Sequence, residues 1–312
     1  MSRVRQKRTG LLSCIAVLAV LLLLAASACT SGSSAQNGQV CNVILPEEPQ
    51  APTLSEVESS LYIFEPDRSR SYFGLLQHAL DGIVGFFKEA LQPGDHVIIH
   101  AIASDSSGHE ETIFNDFIPI VPPPTLPPRP LIPEKPASQV GCPEYADAVM
   151  QHKTDIETWS KQVNGLFNKW SDEQAEATAT KLEELSQALL AHSWSPDNVA
   201  TDINGALYWA SRVADRELAS GSVADVDLIL ATDGIDTAGN NVSYSLAGVD
   251  VTFAFYERLT VEEEGNGKPT DELTGENEWR ARLLHEVNAD TAWFINVDAS
   301  SVPGLIQAVK GQ

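Results

Sequence analysis

Residues 61–74 read LYIFEPDRSRSYFG. Four apolar residues give way to Asp67, Ser69 and Ser71 at alternate positions, and a helical pattern follows. A short apolar run that stops at turn residues predicts a buried strand. The same arrangement recurs downstream, in "DHVIIHAIAS", "DVDLILATDG", "GVDVTFAFYE" and "DTAWFINVD". Most of these runs are separated by segments with apolar residues at helical spacing. "FGLLQHALDGIVGFFKEAL" is one, ending where Pro93 and Gly94 stop it; "INGALYWASRVADREL" and "ENEWRARLLHEVN" are others. Strands alternating with helices predict an α/β fold, a mostly parallel central sheet flanked by helices on both faces. "EETIFNDFIPI" predicts an extra edge strand after the second one.

Two stretches interrupt the alternation and together predict an insertion over residues 121–195. "VPPPTLPPRPLIPEKP", residues 121–136, is too rich in proline for a helix and reads as an extended, stiff spacer. From Glu144 to about His192 the composition is helical, with an expected break near "KWSDEQ", which predicts a two-helix hairpin. A main domain over 58–312 carries this insertion.

The chain opens with Arg3, Arg5, Lys7 and Arg8, continues into an uncharged run from Leu11, and reaches small residues before Cys29. That is the anatomy of an export signal over residues 1–28. "LAASAC" resembles the lipobox of bacterial lipoproteins, which implies a lipidated Cys29 as the membrane anchor, with residues 29–57 as a tether. An uncleaved membrane anchor is the alternative, since Leu11–Ala28 is just long enough to span. Either way the remainder is expected outside the cytoplasm. There, Cys41 and Cys142 are the two remaining thiols and are expected to pair, closing a loop worth about 4–5 kcal/mol in the chain-entropy model.

The chain carries 20 basic and 43 acidic residues. Loss of the signal removes four basic residues and no acidic ones, leaving 16 against 43, a formal charge of −27. A phosphate backbone would be repelled, so nucleic acid is not an expected partner.

In an open parallel sheet, ligands bind beyond the carboxyl ends of the strands. Asp67, Ser69 and Ser71 stand at such an end, and Asp233 follows the strand in "LILATDG". Thr201 precedes a helix in "NVATDINGALYWA". One carboxylate with two hydroxyls, joined by a second carboxylate, is a hard oxygen set suited to Mg²⁺ or Mn²⁺ rather than zinc. Each residue also has a plainer role, because Ser, Thr and Asp at these places cap helices. Either Thr201 or Asp202 can be the cap of its helix.

D-x-S-x-S after the first strand, a threonine before a later helix and T-D-G after the next strand resemble the metal-ion-dependent adhesion site of von Willebrand factor type A domains. The resemblance covers roughly residues 58–312 outside the insertion. It implies a six-stranded Rossmann-like sheet, with the metal on top. It further implies that Ser69, Ser71 and Thr201 bind the metal directly, and that Asp67 and Asp233 bind it directly or through water. Two carboxylates neutralise the ion and leave a position for a carboxylate from a protein partner. The family has glycines before its threonine, where this chain has "SPDNVAT". The expected function is therefore an extracytoplasmic, lipid-anchored protein-binding module.

Rival readings are a scaffold of this fold without metal, a substrate-binding lipoprotein of a transporter, and an enzyme. "HEVNAD" lacks the second histidine of a zinc helix, leaving His285 a solvated residue, and neither a G-x-S-x-G elbow nor a phosphate-cradling glycine loop is present. A transporter protein would need a second lobe of strands. No catalytic residue is therefore expected.

Overall fold

The computed structural model describes residues 58–108, 111–136, 142–195, 201–236, 238, 242–256, 276–296 and 301–310. Cys29 and Cys41, the expected lipidation site and disulfide partner, lie outside the described residues. Cys142 is the first residue of a helix.

In chain order the elements are β1 (Ser60–Pro66), α1 (Phe73–Ala90), β2 (His96–His100), β3 (Thr112–Phe117), α2 (Cys142–Ala191), α3 (Ile203–Ser220), β4 (Asp225–Ala231), β5 (Val249–Tyr256), α4 (Glu276–Ala281), a π-helical turn (Arg282–Glu286), β6 (Thr291–Asn296) and α5 (Ser301–Lys310). The strands form one six-stranded sheet in the order β3-β2-β1-β4-β5-β6. Every pairing is parallel except β2 with β3, so "EETIFNDFIPI" does supply the extra edge strand. This is a Rossmann-like α/β fold.

The sequence pattern of β1 explains its central place. All seven residues are buried, as expected of a strand covered on both faces. Alternation sends Leu61 and Ile63 into a core shared with α3 and Trp279 of α4. Tyr62 and Phe64 enter the opposite core, with Leu80, Phe86 and Phe87 of α1, Leu305 of α5 and Leu185 and Leu189 of α2. Pro66 removes one donor from the ladder, yet its carbonyl still accepts the Ile102 N–H at 2.9 Å.

The described chain falls into two compact units, one running to Ile120 and resuming at Gln174, the other Val121–Glu173. The expected hairpin in the insertion is instead a single helix of 50 residues, Cys142–Ala191. "KWSDEQ" holds neither glycine nor proline, and Ser and Asp lower helix stability by only tenths of a kcal/mol each, too little for a break. Lys169 and Glu173, one turn apart at 3.2 Å, bridge the place of the expected break.

Within the smaller unit, the proline-rich segment has no regular hydrogen-bonded structure, as its composition requires. Prolines leave carbonyls without partnered N–H groups, and tryptophans of α2 use them. Trp159 donates its indole N–H to Pro127 O at 3.0 Å, and Trp170 donates to Val121 O at 2.8 Å. The Arg129 guanidinium lies 5.5 Å from the Trp159 ring centroid. Val149, Ile156, Trp159 and Val163 are buried at helical spacing.

Candidate metal centre

The strand order reverses between β1 and β4. From β1 the chain winds toward β2 and β3, and from β4 toward β5 and β6. Such a switch point opens a crevice beyond the carboxyl ends of the two strands. Asp67 follows β1 directly, and Thr232 and Asp233 follow β4.

Asp67 is completely buried. Its backbone N–H donates to Ala231 O at 2.8 Å, continuing the β1–β4 ladder by one bond. Asp67 Oδ1 accepts the Ser69 N–H at 2.7 Å, the turn that the D-x-S spacing makes possible. Oδ2 accepts the Thr232 hydroxyl, also at 2.7 Å. The Ser69 and Ser71 hydroxyls lie 3.2 Å apart, and Ser71 is near enough to Asp233 to favour its charged form. Asp233 Oδ1 also accepts the Ile235 N–H at 3.0 Å. Direct bonds thus join Asp67, Ser69 and Ser71, Asp233 lies close enough to interact with Asp67 and Ser71, and Thr232 is a member that sequence reading passed over. Its signal was present, as the threonine of T-D-G.

The segment that carries Thr201 is tied to this edge through its neighbour Asp202. The Asp202 N–H donates to Ala103 O at 2.8 Å, one residue beyond Ile102, which bridges Asp67. Thr201 is buried, and its carbonyl accepts the Ala238 N–H at 3.0 Å. The choice of cap is decided for Asp202, whose Oδ1 accepts the Gly205 N–H at 2.8 Å while Oδ2 accepts the Ser106 N–H at 3.2 Å. Thr201 is therefore relieved of the capping role.

Burial dominates the electrostatics. It pushes the Asp67 carboxyl up to about 7, against hydrogen bonds from Thr232 and Ser69 that favour the charged form, and the neighbouring Asp233 raises it further. Burial also raises Asp233, opposed by the nearby Ser71 hydroxyl and the Ile235 N–H. No lysine or arginine pairs with either carboxylate among the described residues; Arg68, next along the chain, bonds Glu111 at 3.0 Å. Among the described residues no three His, Cys, Asp or Glu side chains converge as a metal site. The cluster offers two carboxylates and two hydroxyls instead, an oxygen set that fits Mg²⁺ or Mn²⁺ and excludes the softer ligands zinc favours.

His285 is exposed on the π-helical turn, as expected. His96 stacks on Phe117 with centroids 4.1 Å apart, and His100 stacks on Trp209 at 4.0 Å. His100 Nδ1 sits 3.4 Å from Glu65 Oε1, both side chains fully buried, a pair hidden from sequence because its members belong to different strands.

Neither a protein-family model nor a curated protein matches the chain. Among solved structures, the pilus adhesin SpaC from Lactobacillus rhamnosus GG, in an open conformation, is similar with a TM-score of 0.41 and 11% identity. That likeness covers 82% of this chain and 30% of the adhesin. An aerotolerance-related membrane protein from Bacteroides fragilis NCTC 9343, with multiple mutations to serines, gives a TM-score of 0.35 and 14% identity, covering 81% of this chain and 97% of that one. With overlaps this shallow, neither bears on what this chain does.

Proposed function

We propose that the chain is an extracytoplasmic protein-binding module of the von Willebrand type A kind, anchored through Cys29, that uses Mg²⁺ or Mn²⁺ to coordinate a carboxylate of a protein partner. The observation that carries this reading is the meeting of Asp67, Asp233, Ser69 and Ser71 at the switch point with no basic side chain paired to either carboxylate among the described residues. A divalent cation is the natural counter-charge for one buried and one half-buried acid in oxygen surroundings. Asp67, Asp233, Ser69 and Ser71 would hold it, with Thr201 as the fifth ligand. When bound, the ion supplies a Lewis-acidic position that accepts a carboxylate. Arg70, exposed between the two serines, forms no ion pair among the described residues and places a positive charge beside that position. In so acidic a chain, that charge favours an acidic group approaching there rather than elsewhere.

A scaffold without metal is the second reading, favoured by the fact that both Asp67 oxygens already accept hydrogen bonds. Melting of the full chain in detergent, in EDTA and in Mg²⁺ or Mn²⁺, separates the two. The metal reading expects a cation-dependent rise in Tm that Asp67→Ala abolishes. No rise in the parent, with no heat on calorimetric titration, would leave the scaffold reading standing alone.

A further inference from the structure

The loop that delivers Asp233 is held from a helix distant in sequence. Gly234 adopts a positive φ of 78°, and its carbonyl accepts the indole N–H of Trp279, on α4, at 2.7 Å. Two residues on, Asp236 Oδ2 accepts the Asn204 backbone N–H at 3.2 Å and the Asn204 side-chain amide. The Asn204 Oδ1 in turn accepts hydrogen bonds from Arg282 and, at 3.3 Å, from the Tyr244 hydroxyl. The Arg282 guanidinium lies 5.5 Å from the Trp279 ring centroid. Trp279 of α4 and Arg282 of the π-helical turn that follows therefore grip the Asp233 loop twice, directly at Gly234 and through Asn204 at Asp236.

The first grip continues toward the site. The Gly234 N–H donates to Thr232 Oγ1 at 3.1 Å, and that hydroxyl donates to Asp67 Oδ2. Trp279 is thus separated from Asp233 by Gly234 alone, and from Asp67 by Gly234 and Thr232. A buried indole needs some acceptor, and packing alone would be satisfied by any carbonyl in reach. Packing gives no reason for the second attachment, which holds the same loop two residues further on, at Asp236.

We propose that Trp279 and Arg282 are positioning residues of the cation site. They fix the loop from which Asp233 meets Ser71, and they set cation affinity without touching the ion. The inference rests on the metal reading above. Outer partners of this kind typically alter metal affinity by about 10–100-fold when removed.

The test uses the full chain with Mn²⁺ alone as the probe, free Mn²⁺ being counted by electron paramagnetic resonance. Trp279→Phe keeps the ring and loses the N–H. Phe253→Leu is the control, because Phe253 packs on Trp279 at 5.3 Å between centroids and its loss loosens the same core. The expected result is about a tenfold weaker Mn²⁺ affinity in Trp279→Phe, the same direction in Arg282→Met, and parental affinity in Phe253→Leu at a comparable loss of Tm. Affinity within twofold of the parent in Trp279→Phe, or a loss in the control that matches it, overturns the proposal.

A parent that binds no Mn²⁺ defeats the metal reading and the affinity claim with it. Amide exchange then decides the positioning claim. Faster exchange at Gly234 and Ile235 in Trp279→Phe, with β4 unchanged, supports it; unchanged exchange at both overturns it.

Discussion

Thr232 donates its hydroxyl hydrogen to Asp67 Oδ2 at 2.7 Å, joining residues 165 positions apart across the point where the strand order reverses. The bond fastens the end of β4 to the end of β1 at a buried carboxylate. Thr232→Val preserves the shape and removes the donor, leaving a buried acceptor short of one partner. The expected destabilisation is about 1–3 kcal/mol, read from denaturant unfolding in EDTA. A change below about 0.5 kcal/mol would show that water replaces the hydroxyl.

Asp202, not Thr201, caps α3, so the two residues should separate cleanly by mutation. Asp202→Ala removes the cap and the acceptor of the Ser106 N–H, and is expected to lower stability by about 1–2 kcal/mol. Thr201→Ala is expected to lower stability less and to weaken Mn²⁺ binding. Equal Mn²⁺ affinity in Thr201→Ala and the parent would remove Thr201 from the ligand set.

Stability should fall as pH rises from about 4 to 6, and Asp95 should carry part of that slope. Burial pushes its carboxyl up to about 6, opposed by the N–H groups of Gln92 and Ser60 that it accepts. The unfolded carboxyl titrates near 3.9. Between those values the folded chain holds a proton that the unfolded chain has lost, so the contribution is full below about 4 and gone above about 6, on the order of 2 kcal/mol. Asp227, raised by burial and by neighbouring Asp250, pushes in the same direction. Unfolding of Asp95→Asn across pH 4–7 is expected to show a lower overall stability and a shallower slope. An unchanged slope would show that Asp95 is ionised throughout.

The proline-rich segment has no ladder of its own, and its attachment to α2 includes the two tryptophan N–H groups. Trp159→Phe and Trp170→Phe each remove one bond, worth about 1 kcal/mol. Limited proteolysis by chymotrypsin after the exposed Leu131 is expected to quicken in both variants, with Trp159→Phe the stronger. Cleavage at the parental rate in both would mean that the segment is held by its apolar contacts alone.

Much of this architecture was legible in the chain itself. Apolar runs ending in Asp67 and Asp233 announced buried parallel strands and the sheet edge that carries the site, because strand burial and turn chemistry are local properties. The length of α2 is not legible in its polar run KWSDEQ, because only glycine or proline would interrupt the hydrogen-bond ladder strongly. The sheet order, the Thr232–Asp67 bond, the choice of Asp202 as cap, the Glu65–His100 pair and the reach of Trp279 to Gly234 were decided by the tertiary structure alone. Each of these contacts joins residues from separate elements or depends on which backbone groups the folded neighbours leave free. The residue types able to hold a cation were therefore present in the sequence, while the pairing of strands decided which of them meet.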